Sequence, residues 1–226
     1  MNSDIKRDVN SGMNRNTTAC FIFILSRFFV LVSMLLLASC ATSPPRQVDN
    51  ICSIFNEKSG WYEAARKSEK RWGSSIPSMM AFMHQESRFK ATAKPPREKI
   101  FGFIPGPRKS SAYGYSQAQT GTWKWYKKST GNWGADRDEF QDAIDFVGWY
   151  NTKTKEINGL SLNNTYGLYL AYHEGHGGFK RKTYNKKGWL KKVAKKVAYR
   201  KATYSKQFKT CAAKLQKGRG FNLWPF

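Results

Sequence analysis

The chain has 226 residues, 40% of them apolar and 15% aromatic, which excludes an intrinsically disordered chain and allows one ordinary domain or two small ones. Its 18 glycines, 8 prolines and 4 cysteines exclude a fibrous protein and a disulfide-dense miniprotein. Lys and Arg number 39 against 15 Asp and Glu, and this net charge of +24 favours polyanionic partners: nucleic acid, anionic lipid headgroups or an acidic cell wall.

The first forty residues have the pattern of an export signal. The apolar stretch 28–39 is shorter than the roughly 20 residues that span a bilayer, and it fits the core of a secretory signal. A membrane anchor over 19–38 is the alternative, although Arg27 inside it would cost roughly 2.5–3.5 kcal/mol. Leu37-Ala-Ser-Cys40 resembles the lipobox of bacterial lipoproteins. This resemblance implies a signal peptide over 1–39, lipidation of Cys40 and a tether through residue 50.

Export defines the expected compartment and partners. We expect a periplasmic, lipid-anchored protein, located at the inner leaflet of the outer membrane because the residue after Cys40 is not aspartate. An exported protein does not meet the genome, so peptidoglycan and anionic headgroups become the expected partners and nucleic acid does not. In an oxidising compartment we expect Cys52 and Cys211 to form a disulfide, with two buried free cysteines as the alternative.

Residues 51–226 are predicted to form one mainly α domain with little or no β-sheet, because apolar residues recur at helical spacing. In chain order, we predict a helix over 50–70 that breaks near Ser59-Gly60, and a second helix that begins at Ser75. Further helices are predicted over 120–128 and 138–157, followed by an apolar run at 166–172. The last predicted helix has an apolar face of Trp189, Leu190, Val193, Ala194 and Val197. A basic loop rich in proline and glycine is predicted for 94–111, and the tail at 224–226 is expected to pack on the domain.

Glu86 is the candidate catalytic residue. It continues the apolar stripe of Met79 and Met83 on the predicted helix, where a carboxylate is unusual. Desolvation there would raise its pKa, and a carboxylic acid still protonated near neutral pH suits a general acid of glycosidic-bond cleavage. A glutamate at a frayed helix end, turned to solvent, is the alternative.

Three short motifs, in this order, resemble those of the SLT-type lytic transglycosylases, goose-lysozyme-like members of the lysozyme superfamily. They are Glu86-Ser87, Gly114-Tyr115-Ser116-Gln117 and Ala171-Tyr172-His173, where the family has Glu-Ser, Gly-Leu-Met-Gln and Ala-Tyr-Asn. The resemblance implies a lysozyme-like fold, with Glu86 as the single catalytic acid and base. The resemblance implies that the Ser87 hydroxyl braces Glu86 or contacts the substrate. Substrate-binding roles are also implied for Gly114, Tyr115, Gln117, Tyr172 and His173, with Tyr172 hydrogen-bonded to the Glu86 carboxyl. His173 departs from the family's asparagine.

The implied reaction cleaves the β-1,4 bond between N-acetylmuramic acid and N-acetylglucosamine in peptidoglycan and forms a 1,6-anhydro ring, with no cofactor. A hydrolytic lysozyme and a wall-binding scaffold lipoprotein on the same fold are the alternatives. A two-carboxylate hydrolase needs a partner carboxyl within about 5–9.5 Å, and Asp145 and Glu174 are the candidates. Asp145 lies on the polar edge of its predicted helix, where a surface or hydrogen-bonding role is expected, and Glu174 is placed in the cleft. We expect no metal site at His173-Glu-Gly-His176, because its histidines are three apart and its glycines disfavour a helix.

Overall fold

Two short helices open the part of the chain that the computed structural model describes, residues 43–217. In α1 (Ile51–Glu57), the Asn50 side chain caps the N-terminus by accepting hydrogen bonds from the backbone N–H groups of residues 52 and 53. Gly60 then adopts a φ of 81°, and α2 (Trp61–Trp72) follows. The predicted break near Ser59-Gly60 is therefore confirmed.

The third helix, α3 (Ile76–Ser87), runs through the centre of the core. Pro77 lies in its first turn, where the missing N–H costs nothing. Residues 76–84 are all buried, so this helix is enclosed on every side except at its C-terminal turn. Glu86 lies in that turn.

A two-stranded antiparallel hairpin occupies the segment predicted as a loop. Strand β1 (Arg97–Ile100) pairs with β2 (Ile104–Arg108), with Ile100 opposite Ile104. A two-stranded ribbon accepts the prolines of β2 because prolines are tolerated on edge strands. Since this hairpin is the one sheet in residues 43–217, the prediction of a mainly α fold with little β-sheet is confirmed.

Four further helices and a 3₁₀ turn complete the described chain. They are α4 (Thr120–Thr130), α5 (Phe140–Asn158), α6 (Thr165–Lys180), the 3₁₀ turn Thr183–Lys186, and α7 (Gly188–Lys217). Helix α5 packs on α2 and α6, and α7 packs on α3 and α6. Aromatic rings fill much of the core between them; Trp61, for example, stacks on Phe140 with ring centroids 3.8 Å apart.

Two details of these helices differ from the sequence predictions. The glycines after Glu174 were predicted to disfavour a helix, but α6 continues through them to Lys180. Among its residues, Gly175 leaves the helical region (φ 72°, ψ 160°), and α6 kinks there. Trp189, predicted on the buried face of α7, is 55% exposed. It lies in the first turn of α7, where its ring contacts His173 edge to face with centroids 5.1 Å apart.

Helix α7 joins the two ends of the described chain. The predicted disulfide between Cys52 and Cys211 is confirmed, with the Cα atoms 6.0 Å apart. Beside it, the Gln207 amide accepts a hydrogen bond from the Ile51 N–H (3.1 Å) and donates one to the Asp49 carbonyl (3.1 Å). The Tyr204 hydroxyl donates to the Val48 carbonyl.

The predicted export signal, the lipidated Cys40 and the tail at 224–226 lie outside the described residues. Between residues 43 and 217, no helix is both long and apolar enough to cross a membrane.

Candidate active site

A cleft of about 530 Å³ opens at the C-terminal turn of α3. The loop that leads into α4 forms one wall, and α5 and α6 form the other. The lining residues are Glu86, Pro95, Ser110, Ala112, Gln117, Ala118, Gln119, Thr122, Phe146, Tyr150, Tyr172, His173, Glu174 and Gly175. Five of the positions predicted from the sequence therefore share one cleft: Glu86, Gln117, Tyr172, His173 and Glu174.

Glu86 is half-buried at the floor of the cleft. Desolvation of its carboxyl raises the pKa to about 7, and a hydrogen bond with the Tyr169 side chain partly opposes that rise. Glu86 follows the buried segment 76–84 of α3 and shares the cleft with the aromatic rings of Phe146, Tyr150 and Tyr172. The result is a carboxylic acid that can both donate and accept a proton near neutral pH.

Tyr169, and not Tyr172, hydrogen-bonds the Glu86 carboxyl. The Tyr172 hydroxyl donates its single proton to the Ser116 carbonyl oxygen at 2.6 Å, so the predicted donation from Tyr172 to Glu86 is wrong. The two tyrosines lie three residues apart on one face of α6. Each ring packs edge to face on Phe82 of α3, with centroids 5.3 Å and 5.2 Å away. The three-residue spacing of Tyr169 and Tyr172 was the sequence signal that could have added Tyr169 to the candidate partners of Glu86.

The turn at 113–118 presents Gln117 to the cleft. Its backbone has a φ of 50°, and its side-chain amide donates hydrogen bonds to the Ala93 and Gly114 carbonyls, both at 2.9 Å. Gly114 has a φ of 77°, and its Cα lies so close to Arg137 that a Cβ would be 2.0 Å from the Arg137 carbonyl oxygen. The close approach at Gly114 is therefore to the protein's own backbone.

Ser87, predicted to brace Glu86 or contact the substrate, and Tyr115, predicted to bind substrate, connect the end of α3 to the turn at 113–118. The Ser87 hydroxyl donates to the Tyr115 carbonyl at 2.7 Å, which ties the end of α3 to the turn. The Tyr115 ring is buried and packs edge to face on Trp61 and Phe140. Neither side chain is among those that line the cleft.

Glu174 is the second carboxylate of the cleft lining, and other side chains already bind it. Its oxygens are 2.7 Å from Lys187 Nζ and 3.1 Å from His173 Nδ1, and the Thr183 hydroxyl also donates to it. Burial alone would raise its pKa, but the hydrogen bonds from Lys187, Thr183 and His173 outweigh burial and lower the pKa to about 2. Glu174 therefore stays ionised near neutral pH, with one oxygen in contact with His173 Nδ1.

Other candidate chemistry of the sequence has structural roles. Asp145 accepts hydrogen bonds from Trp72 Nε1 and the Tyr126 hydroxyl, both at 2.8 Å. His176 stacks on the Tyr150 ring, with its Nε2 3.0 Å from the Thr154 hydroxyl. No group of three or more potential metal ligands occurs between residues 43 and 217.

Fold and site together define a mainly α, lysozyme-like domain with one protonatable carboxyl in an open cleft. A family model described as "Transglycosylase SLT domain" matches residues 28–211, which is most of the chain. The chain therefore belongs to the SLT transglycosylase family, as the motifs predicted. Members of this family are lytic transglycosylases that act on peptidoglycan. A search of curated proteins found no significant match.

Proposed function

We propose that this chain is an active peptidoglycan lytic transglycosylase with Glu86 as its single general acid and base. The observation that carries the proposal is the environment of Glu86: a desolvated carboxyl at the floor of the cleft with a pKa of about 7. An ordinary solvated glutamate would be ionised at neutral pH and could not begin the reaction by donating a proton.

The reaction has two proton transfers. Glu86 first protonates the glycosidic oxygen between N-acetylmuramic acid and N-acetylglucosamine, and the bond to the anomeric carbon breaks. The acetamido group of the substrate stabilises the positive charge that develops at that carbon. The ionised Glu86 then removes the proton of the muramic C6 hydroxyl, whose oxygen attacks the anomeric carbon. The 1,6-anhydro ring closes without water, and Glu86 is protonated again.

The state of Glu174 favours this reaction over two-carboxylate hydrolysis. A second carboxylate that acts as nucleophile or base needs a free oxygen at the substrate. The Glu174 oxygens are instead bonded to Lys187, Thr183 and His173. We assign Glu174 the role of orienting His173, and we assign His173 and Gln117 to substrate binding because both line the cleft.

We also propose that the protein is exported and anchored through lipidated Cys40 on the periplasmic side, with the outer membrane as the expected location. The lipobox pattern, the apolar stretch before it and the disulfide support export. The polymer on which the family acts, peptidoglycan, lies in the periplasm, which further supports export.

The deciding experiment is mass spectrometry of the soluble products released from purified peptidoglycan. We expect anhydro-muropeptides from the wild type and a loss of about 10²–10⁴-fold in Glu86→Gln, because general acid–base catalysis supplies a factor of that size. Glu156→Gln is the matched control, since Glu156 is an exposed carboxylate on α5 that pairs with Lys153. It should retain full activity.

Each other outcome selects a different function. Full activity in a folded Glu86→Gln protein would remove Glu86 from the mechanism. Reducing-end products would identify a hydrolase. A protein that sediments with the wall and releases nothing would be a binding scaffold.

A further inference from the structure

The tip of the hairpin carries the most exposed cluster of large apolar side chains in the described chain. Phe101 is 84% exposed and Phe103 75%, and Ile100 and Ile104 are each 45% exposed. With Gly102 they form five consecutive residues without a polar side chain. Because exposed apolar surface is unfavourable, a contiguous patch of this kind indicates a contact surface.

The backbone at the tip favours the same interpretation. Phe101 and Gly102 both have positive φ, 52° and 80°, in the turn between β1 and β2. Tight hairpin turns of this type prefer asparagine or glycine, and a bulky residue with positive φ costs free energy. The phenylalanine at 101 is therefore unfavourable for the turn itself, which indicates that its exposed ring belongs to a contact surface.

Basic side chains lie behind the tip, along the two strands and just beyond them. Five basic residues and one acidic residue lie between 94 and 109. Arg97, Lys99, Arg108 and Lys109 are all exposed. The acidic residue, Glu98, is ion-paired with Lys109 at 3.2 Å, so these two charges offset each other. The hairpin thus combines an apolar tip with a basic collar of Arg97, Lys99 and Arg108 behind it.

We propose that the hairpin tip docks into the interface of a lipid bilayer that contains anionic phospholipid. The phenylalanine and isoleucine side chains would enter the boundary of the acyl chains, and the basic collar would meet the phosphate groups. A carbohydrate surface fits less well, because sugar sites combine aromatic rings with polar hydrogen-bonding side chains and the tip has none. The inference does not depend on the proposed reaction.

Docking would also position the cleft. Pro95 and Ser110 stand just outside the two strands, and both line the cleft. A docked hairpin would therefore hold the rim of the cleft next to the membrane surface, where the protein would meet the glycan strands nearest that membrane.

Trypsin cleavage after Lys99, the residue before the tip, measures docking in the full chain. The protein is reconstituted into vesicles of phosphatidylcholine alone or of phosphatidylcholine with phosphatidylglycerol, so its N-terminal segment is present in both. We expect cleavage after Lys99 to be about tenfold slower in the anionic vesicles. Cleavage after Lys128, an exposed site on α4, is the internal reference and should change little.

Two variants separate insertion from adsorption by charge alone. Phe101→Ser combined with Phe103→Ser should abolish the protection at Lys99, and because both rings are exposed, its melting temperature should match that of the wild type. Trp133→Ser, which removes an exposed aromatic ring outside the hairpin, should keep the protection. Equal cleavage rates in both kinds of vesicle would overturn the proposal, as would protection that survives the double serine change. Protection by added peptidoglycan instead of anionic lipid would assign the tip to the wall.

Discussion

Glu86 is subject to two opposing effects at the level of single residues. Burial disfavours its ionised form, whereas the hydrogen bond with the Tyr169 side chain favours that form. Burial is the larger effect, and the pKa is raised from 4.5 to about 7. A residue that must first donate and then accept a proton in one reaction cycle is well served by a pKa near the working pH.

This balance predicts the pH dependence of Tyr169→Phe. In the proposed reaction the protonated form of Glu86 acts first, and this form is lost as pH rises through about 7, so wild-type activity should fall there. Removal of the Tyr169 hydroxyl withdraws a bond that lowers the pKa, so the fall should move to higher pH. We expect a shift of roughly half to one pH unit, equivalent to a hydrogen bond of about 1 kcal/mol. The pH profile of kcat for muropeptide release measures it.

Tyr172→Phe is the matched control for this shift. It removes a hydroxyl three residues away on α6, and that hydroxyl donates to the Ser116 carbonyl. The pH at which activity falls should stay at its wild-type value, even if the rate itself changes. The same shift in both variants would contradict the assignment of the hydrogen bond to Tyr169.

Among the structural elements, the turn at 113–118 depends on one glycine. Gly114 combines a φ of 77° with a backbone approach that leaves no room for a Cβ beside Arg137. Two backbone hydrogen bonds fix the turn there: Gly114 N–H to the Ala93 carbonyl at 2.9 Å, and Tyr115 N–H to the Arg137 carbonyl at 3.1 Å. Because neighbouring backbone cannot yield as a flexible side chain does, the turn and Gln117 must move if residue 114 gains a side chain.

We therefore expect Gly114→Ala to lower the free energy of unfolding by roughly 2–4 kcal/mol and to reduce activity through displacement of Gln117. Denaturant unfolding measures the first effect and muropeptide release the second. Gly121→Ala is the control, since a Cβ on that helical glycine meets nothing within 4 Å. It should change stability by less than about 1 kcal/mol. A Gly114→Ala protein as stable as the wild type would contradict the close approach to Arg137.

The elements also differ in how well the sequence predicted them. Helices such as α3 and α5 each bury one face or more, so their apolar residues repeat at helical spacing. Strand β1 is exposed at all four positions, so burial imposed no alternation that could reveal it. In the site, the position of Glu86 on an apolar stripe made it the candidate catalytic residue. Whether Tyr169 or Tyr172 reaches its carboxyl depends on how α6 packs against α3 and on the Ser116 carbonyl, which local sequence does not specify.

At the level of the whole molecule, the two ends of the described chain are tied together. Helix α7 contacts the segment at 48–52 through Tyr204, Gln207 and the disulfide from Cys211. The same helix packs on α3 and α6, the helices that carry Glu86 and Tyr169. Unfolding of either chain end therefore removes support from the two helices of the site.

We expect the disulfide to contribute a large share of the free energy of unfolding. Cys52 and Cys211 are 159 residues apart, and closing a loop of that length restricts the unfolded chain by about 5 kcal/mol on the chain-entropy model. Domains have total stabilities of about 5–15 kcal/mol, so loss of the disulfide would remove a large proportion of the total.

We expect Cys52→Ala combined with Cys211→Ala to lower the free energy of unfolding, measured in urea, by about 5 kcal/mol. The hydrogen bonds of Gln207 should keep the site assembled at low denaturant. Reductant should reproduce the loss in the wild type and leave the double variant unchanged; equal urea midpoints for the two proteins would contradict the prediction.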